Sequence, residues 1–322
     1  MAVFKWCFIG AGKLAYRVAK EITGSGRHEI VSVYTRRSEK GKEFAKEFGC
    51  AAYADVETAI TAEGVQAVYV VTPHDSHYKY VKQALELGKP VLCEKAFTTD
   101  AKQAEELFAL ARSKGIYVAE AMWTWFSPVA GQVKQWMEDG ECGEIQKVVT
   151  HYHLNVHKSA PRLTDPDLAG GALLDSGVYP ITYLYRLFGN PNKVSCQGII
   201  ENGVDLEEEV DLTFASGKTY HTSISIRDFK GFEKFSVSGT EGSILVWRFH
   251  SAKKAKLKRK NGENIVFTGD TSLLNEFDIV AREILAGRTE SAYVPHQATL
   301  DVMRIMDECR RQMGLVYPFE RE

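Results

Sequence analysis

The 322-residue chain has no apolar run approaching the roughly 18 residues that suggest a membrane span, so no span is expected. Its six cysteines (Cys7, Cys50, Cys93, Cys142, Cys196 and Cys309) are scattered, with no CxxC and no tight pair. That scatter argues against a disulfide framework and against a zinc knuckle, and fits reduced thiols in the cytoplasm. An excess of one charge is missing too. Forty Lys and Arg against 42 Asp and Glu leave a formal net charge of −2, which excludes any overall pull toward nucleic acid or anionic lipid. No internal repeat or low-complexity segment is found. The apolar start, Met1 to Gly10, lacks a basic region and runs straight into a glycine motif; a first strand is expected there, not a signal peptide.

What is present is an ordinary globular composition, 44% hydrophobic and 25% charged, enough for two cores. At about 100–200 residues per domain the length suggests two domains, expected as 1–121 and 122–322. The first part alternates apolar runs with helical stretches. Strands are expected at Val3–Ile9, Glu29–Tyr34, Ala67–Val71, Pro90–Cys93 and Tyr117–Glu120. Helices are expected at Lys13–Thr23, Glu39–Phe48, Ser76–Leu87 and Asp100–Lys114. Strands alternating with helices imply βαβ units and a doubly wound parallel sheet. After Glu120 the pattern changes. Helices at Val129–Glu138 and about Gly177–Phe188 accompany a long strand, Ile145–Leu154, and a run of shorter ones from Lys193 to Phe267, with Asn261-Gly262 as a hairpin turn. Two helices, Leu273–Leu285 and Gln297–Gln312, close the chain. The fold class is therefore α/β, an N-terminal Rossmann domain followed by an α+β domain with an open, mainly antiparallel sheet.

Gly10-Ala11-Gly12-Lys13-Leu14-Ala15 directly follows the first strand and opens the first helix, the required setting for a GxGxxG/A dinucleotide fingerprint. Gly10 permits the tight turn, Gly12 lets the backbone approach a pyrophosphate, and Ala15 lets helix and strand pack closely. The free N–H groups of the helix start, at Lys13 and Leu14, favour phosphate. The second strand ends in Thr35-Arg36-Arg37 with no acid before Glu39. An NAD site places a carboxylate there for the ribose 2′-OH; a basic surface suits a 2′-phosphate instead. NADP(H) is favoured over NAD(H).

Ligands of an open α/β sheet bind beyond the carboxyl ends of its strands. Two segments lie there: Thr72-Pro73-His74-Asp75-Ser76-His77, and Glu94-Lys95-Ala96. On residue type alone, Glu94 and Lys95 read equally well as a surface ion pair. In the second domain Asp175 and Tyr179, within Gly170-Gly171-Ala172-Leu173-Leu174-Asp175-Ser176-Gly177-Val178-Tyr179-Pro180, share a face if the helix has begun by Asp175. A capping role for Asp175 and a packed core role for Tyr179 stand beside the catalytic ones.

Together the glycine motif, Thr72-Pro73 with His77, Glu94-Lys95-Ala96 and Asp175-Ser176-Gly177-Val178-Tyr179 resemble the marks of the Gfo/Idh/MocA oxidoreductase family, in the same order along the whole chain. Glu120-Ala121-Met122-Trp123-Thr124-Trp125-Phe126, and Tyr179 where many members carry His, are similar to its dimeric dihydrodiol dehydrogenase branch. The resemblance implies an enzyme acting on trans-dihydrodiols or aldose sugars with NADP. It implies Thr72, His74, His77, Glu94 and Lys95 beside the cofactor, Lys95 as the motif lysine and Tyr179 as general acid/base, with Asp175 in the catalytic set. A tyrosine of pKa about 10 yields its proton reluctantly at neutral pH; a nearby ammonium would lower that pKa and stabilise an alkoxide. Two departures are Ala96 in place of the motif proline, which leaves the backbone beside Lys95 less fixed, and Trp125 where the branch carries a basic residue.

His151, His153 and Asn155 share one face of a strand. Without an acidic or cysteine partner at short spacing, no metal is expected, and this face lines the substrate pocket or packs the sheet. Trp123, Trp125 and Phe126 form either an apolar wall for substrate or domain-junction packing. The basic run Lys253, Lys254, Lys256, Lys258, Arg259 and Lys260 reads as solvated edge-strand charge, not a nucleic-acid site. The expected partner is a small carbonyl or polyol substrate. By analogy with the family, the bare sheet face suggests a homodimer or higher homo-oligomer. The rival functions are a non-catalytic NAD(P)-binding regulator of the same family, against which Lys95 and Tyr179 argue, and an NAD-dependent sugar or inositol dehydrogenase.

Overall fold

The computed structural model describes residues 3–321; Met1, Ala2 and Glu322 lie outside them. The strands are β1 (Phe4–Ile9), β2 (His28–Tyr34), β3 (Ala51–Tyr53), β4 (Ala67–Val70), β5 (Val91–Glu94), β6 (Val118–Ala121), β7 (Ile145–His153), β8 (Lys193–Glu201), β9 (Val204–Thr213), β10 (Thr219–Ser225), β11 (Glu233–Gly239), β12 (Gly242–Trp247), β13 (Lys254–Arg259) and β14 (Asn264–Thr268). The α-helices are α1 (Lys13–Gly24), α2 (Ser38–Phe48), α3 (Val56–Thr61), α4 (His77–Glu86), α5 (Ala101–Lys114), α6 (Pro128–Glu138), α7 (Val178–Phe188), α8 (Leu274–Leu285) and α9 (His296–Met313). Two compact units result: Met1–Trp123 with Ser272–Leu300, and Thr124–Thr271 with Asp301–Glu322. The expected boundary after residue 121 falls beside the Trp123/Thr124 break, and the segment Ser272–Leu300 returns to the first unit.

The first unit holds a six-stranded sheet of order β3-β2-β1-β4-β5-β6. All its ladders are parallel. Strands β4, β5 and β6 are buried throughout, which is why they read as unbroken apolar runs. The sequence gives little sign of β3, three residues without a branched side chain, or of the six-residue α3, whose N-cap Asp55 accepts from the Thr58 N–H. Helix α8 belongs here because its apolar stripe has a partner. Phe277 packs edge-on to Trp6 and to Tyr69, each at 5.0 Å between centroids. Its polar side is pinned too: Asp278 accepts from Arg27 at 2.9 and 2.8 Å, and the Tyr117 hydroxyl donates to Glu283 at 2.7 Å.

The second unit holds an eight-stranded sheet of order β14-β13-β12-β11-β7-β10-β9-β8. It is antiparallel except between β7 and β10, which run parallel. One face packs against α7. Tyr183 lies 4.7 Å from Phe235 and Phe188 lies 4.5 Å from Tyr220. A β-carbon on Gly177 would come within 2.9 Å of Ile224, so glycine lets the start of α7 approach β10. The opposite face carries the exposed side chains of Phe232, Trp247 and Val266.

Candidate active site

In the first sheet the strand order reverses between β1 and β4, which is where an open α/β sheet offers its crevice. Gly10 leaves β1 at φ +116°, and a β-carbon on it would lie 2.5 Å from the Val71 carbonyl oxygen. Only glycine fits that crossing. Gly12 is different: its β-carbon position faces open space, so the backbone itself presents the surface. Helix α1 starts there with no side-chain cap and no acid in its first turn. Its first N–H groups therefore have no internal partner, which suits an anion. Beside them lies a cavity of about 390 Å³ lined by Ala11, Gly12, Lys13, Tyr16, Lys40 and Glu43. Past the end of β2, Arg36 and Arg37 are exposed, and Glu39 is engaged by Lys42 at 2.8 Å. A pyrophosphate and a 2′-phosphate both fit this set of donors.

The loops after β4 and β5 are tied together by one residue. His77 is fully buried, with Nδ1 2.9 Å from the Ala96 carbonyl and Nε2 2.9 Å from the Thr72 carbonyl. Burial lowers its pKa, while both carbonyls pull toward the charged ring. The histidine named from the TPxxxH motif thus holds backbone and presents no surface to a ligand. His74, also buried, packs edge-on to it at 5.6 Å. Thr72 receives the Ser76 hydroxyl at 3.0 Å.

Half-buried Lys95 follows β5, and its peptide bond to Ala96 is cis. The alanine in place of proline does not leave this turn loose. Ala96 is held by His77, and the next N–H, of Phe97, donates to Glu120 Oε1 at 3.2 Å. Glu120 Oε2 accepts from Thr299 at 2.9 Å, and burial pushes the Glu120 carboxyl up to about 7. Glu94 accepts the Tyr69 hydroxyl at 2.6 Å. Glu276, fully buried on α8, is held well above its ordinary value by burial and then by the charges of Glu94 and Glu21. Glu120 and Glu276 were missed from sequence. Both sit in phase with apolar neighbours, Glu276 on the stripe of Leu273, Phe277 and Val280, and that phase is the signal that marks a buried acid.

In the second unit the glycine-rich segment enters α7 through one π-helical turn, Leu173–Gly177, in which the Val178 N–H reaches back to the Leu173 carbonyl. Pro180, in the first turn of α7, has no N–H for the Ser176 carbonyl, and its ring crowds that oxygen, so the backbone widens ahead of it. Asp175 sits in the π turn and is not a cap: α7 starts from Gly177 without one, and Asp175 Oδ1 accepts from Arg162 at 2.8 Å. Tyr179 is 8% exposed; its ring stacks on Tyr152 at 5.5 Å and lies 5.4 Å from His250. Burial and the neighbouring Tyr179, Glu233 and Asp175 hold the Tyr152 hydroxyl well above its ordinary pKa, so it stays protonated.

Other expected residues are placed elsewhere. Side chains alternate along β7, so His151 and His153 project from the face opposite Tyr152, away from Tyr179. Both bond the Ser223 hydroxyl, at 2.6 and 2.8 Å, and His153 also reaches Asp228 at 2.8 Å. A cavity of about 600 Å³ opens on that side, with His153, Arg227, Asp228 and Phe229 in its walls. Asn155 is exposed and bridges Arg227. Trp125 is packed rather than presented, stacked on Tyr185 at 6.3 Å with the Arg186 guanidinium 5.1 Å above it, and Phe126 is buried. Trp123, in the first unit, carries Arg17 over its ring at 5.8 Å.

Residues 4–121 match the family model described as "Oxidoreductase family, NAD-binding Rossmann fold", and residues 131–245 match the "GFO/IDH/MocA C-terminal domain". The chain is 30% identical to D-xylose 1-dehydrogenase (NADP(+)) of Hypocrea jecorina, over 98% of this chain and 93% of that protein. It is 29% identical to trans-1,2-dihydrobenzene-1,2-diol dehydrogenase of Mus musculus, over 98% of this chain and 99% of that one. A solved 3-ketoreductase from Actinomadura kijaniata, in complex with NADP and TDP-benzene, superposes with a TM-score of 0.88 at 24% identity over 97% of this chain and 98% of its own, a likeness of fold.

Proposed function

Because the chain belongs to the Gfo/Idh/MocA oxidoreductase family, and is thereby an NAD(P)-dependent dehydrogenase or reductase acting on CH–OH groups, we propose that it interconverts a carbonyl and an alcohol on a sugar, a trans-dihydrodiol or a related small polyol, using NADP(H). The observation that carries this reading is Tyr179, a nearly buried phenol set at the start of α7 by a π turn that also bears Asp175. Lys13, Leu14 and the α1 N-terminus would hold the pyrophosphate, and Thr35, Arg36 and Arg37 the 2′-phosphate that separates NADP(H) from NAD(H); the chemistry the cofactor would supply when bound is hydride transfer. Tyr179 gives its hydroxyl proton to the carbonyl oxygen as that oxygen becomes an alkoxide, and Lys95 supplies the cation that stabilises the charge. Asp175, fixed by Arg162, accepts from a substrate hydroxyl.

The enzyme works as a homodimer through the open face of the second sheet. Cross-strand pairing sets Glu209, Ser223, His151, Lys234 and Trp247 in one row, and Asp211, His221, Val149, Ser236, Leu245, Lys256 and Val266 in the next. Each row runs from acid on β9 to base on β11 or β13, with the exposed side chain of Trp247 or Val266 beyond. A second copy turned about an axis along the strands, between β11 and β7, lays Asp211 of one copy on Lys256 of the other. Among the described residues no helix is long and apolar enough to cross a membrane. With all six thiols free, a reducing cytoplasm is the fitting compartment.

The test is NADPH oxidation with a panel of aldoses, ketones and diketones, on wild type, Tyr179→Phe and Lys95→Ala. Tyr179→Phe should slow kcat by roughly 10²–10⁴ with NADPH affinity unchanged. Unchanged kcat in both folded variants, or no turnover of any carbonyl by wild type, refutes the assignment.

A further inference from the structure

The Gly170–Asp175 turn is held from behind by two buried carboxyls that the mechanism above does not use. Strand β9 carries Asp205 and Glu208, three apart, which in a regular strand would face opposite sides. Pairing with β8 slips at Ile199/Ile200, where Glu207 and then Asp205 find partners and Leu206 is left over. That one-residue bulge re-aims Asp205 onto the side of Glu208. The two residues are 0% and 1% exposed.

Asp205 meets the turn at two points. Its Oδ2 accepts the Leu173 N–H at 2.6 Å, the first residue of the π turn. Its Oδ1 lies where a β-carbon of Gly171 would be, 2.0 Å away, and Gly171 is at φ +118°. Glycine is required there by both the backbone angle and the carboxylate behind it. A second tether holds the other end: the buried Tyr317 hydroxyl donates to the Gly170 carbonyl at 2.9 Å, under the Arg310 guanidinium at 4.6 Å from its ring.

Two adjacent buried carboxyls cannot both ionise. Among the described residues Glu208 has no N–H or O–H donor on either oxygen, and burial followed by the Asp205 charge and hydrogen bond raises its pKa well above the ordinary value. Glu208 is therefore the carboxyl that keeps its proton, and Asp205 Oδ2 holds the Leu173 N–H. From Leu173 the backbone runs through Asp175 directly to Tyr179, so the placement of the phenol is inherited from this bond.

We propose that Asp205, buried beside Glu208 and bonded to the Leu173 N–H, is the positioning residue that fixes the Gly170–Tyr179 segment for proton transfer. The proposal rests on Tyr179 as the proton donor. A displacement of about 1 Å at a reacting group can cost about a hundredfold in rate.

In the full-length protein Asp205→Ala should lower kcat by about 10- to 100-fold. NADPH affinity should stay within about twofold, and amide hydrogen exchange across Leu173–Tyr179 should accelerate. Asp205→Asn, whose amide oxygen still accepts the Leu173 N–H, should restore kcat to within about threefold of wild type. A folded Asp205→Ala protein with wild-type kcat and exchange overturns the proposal, as does an Asn variant no better than Ala. If Asp205→Ala does not fold, exchange of the Leu173 amide in wild type decides: strong protection supports the tether, and exchange near the unfolded-chain rate overturns it. Wild type that reduces no carbonyl removes the role of Tyr179 instead, and the exchange arm then still reports whether Asp205 holds the turn.

Discussion

Glu120 offers a quantitative test of how the Lys95 turn is built. Its carboxyl is 3% exposed, and its pKa is raised by burial from 4.5 to about 7. The native state therefore binds the Glu120 proton more tightly than the unfolded chain does. The resulting stability is fully present below about 4.5 and is lost as pH rises through about 7. At about 1.4 kcal/mol per pKa unit, the loss across that window is roughly 3 kcal/mol. Glu120→Gln cannot ionise, so it escapes the loss. Its amide oxygen still accepts the Phe97 N–H, but Thr299 must turn from donor to acceptor, which costs about 1 kcal/mol. The variant should then be slightly less stable than wild type at pH 4.5 and about 2 kcal/mol more stable at pH 8. Urea unfolding of both proteins between pH 4.5 and 8 measures the difference directly, and the other buried acids, Glu94, Glu276, Asp205 and Glu208 among them, are common to both proteins. A difference that does not change with pH would mean that Glu120 is ionised throughout, and would refute the account of the turn.

Two further outcomes are expected. Arg36→Ala with Arg37→Ala should weaken NADPH binding by about tenfold to a hundredfold per lost charge-assisted bond while leaving NADH binding nearly unchanged, in a fluorescence titration of both cofactors; equal losses for both would remove the 2′-phosphate role. Lys256→Glu with Trp247→Lys should convert the proposed dimer to a monomer in sedimentation without loss of the fold, because each copy would then place like charges and a buried ammonium across the twofold; an unchanged sedimentation coefficient would refute this interface.

The elements were readable in the sequence where period and partner agree. Val68, Tyr69 and Val70 form a continuous apolar run because β4 is buried on both faces, and Asn261-Gly262 between β13 and β14 gives a hairpin from two residues. Strand β3 was not readable, since Ala51-Ala52-Tyr53 is held by the neighbouring Ser32, Val33 and Tyr34 of β2 and not by its own preference. Nor was the attachment of α8 to the first sheet. Its stripe announces a helix with one apolar face, and only the ring of Phe277 against Trp6 and Tyr69 says which core receives it.

The candidate site divides along the same physical line. Gly10 and Gly12 could be named because a turn and a helix start need such residues at those places, and Lys95, Asp175 and Tyr179 because short motifs around them resemble those of the family; both signals are local in the chain. What fixes them is not local. His77 was named as a cofactor ligand, yet its two ring nitrogens face the Thr72 and Ala96 carbonyls, one before it and one well after it. His153 was assigned to the substrate because a strand face groups it with His151 and Asn155; the strand ends at His153, leaving Asn155 in a separate bridge, and which side of the sheet its face looks toward depends on where α7 packs, which alternation alone does not fix. Asp205 lies furthest from view, because a regular alternation along Val-Asp-Leu-Glu-Glu-Glu-Val puts it opposite Glu208, and only a bulge set by the partner strand turns it around. A chemical group can be found from its own neighbours in sequence, but its support is supplied by strands and helices from distant parts of the chain, and those are fixed only when the register of every ladder is fixed.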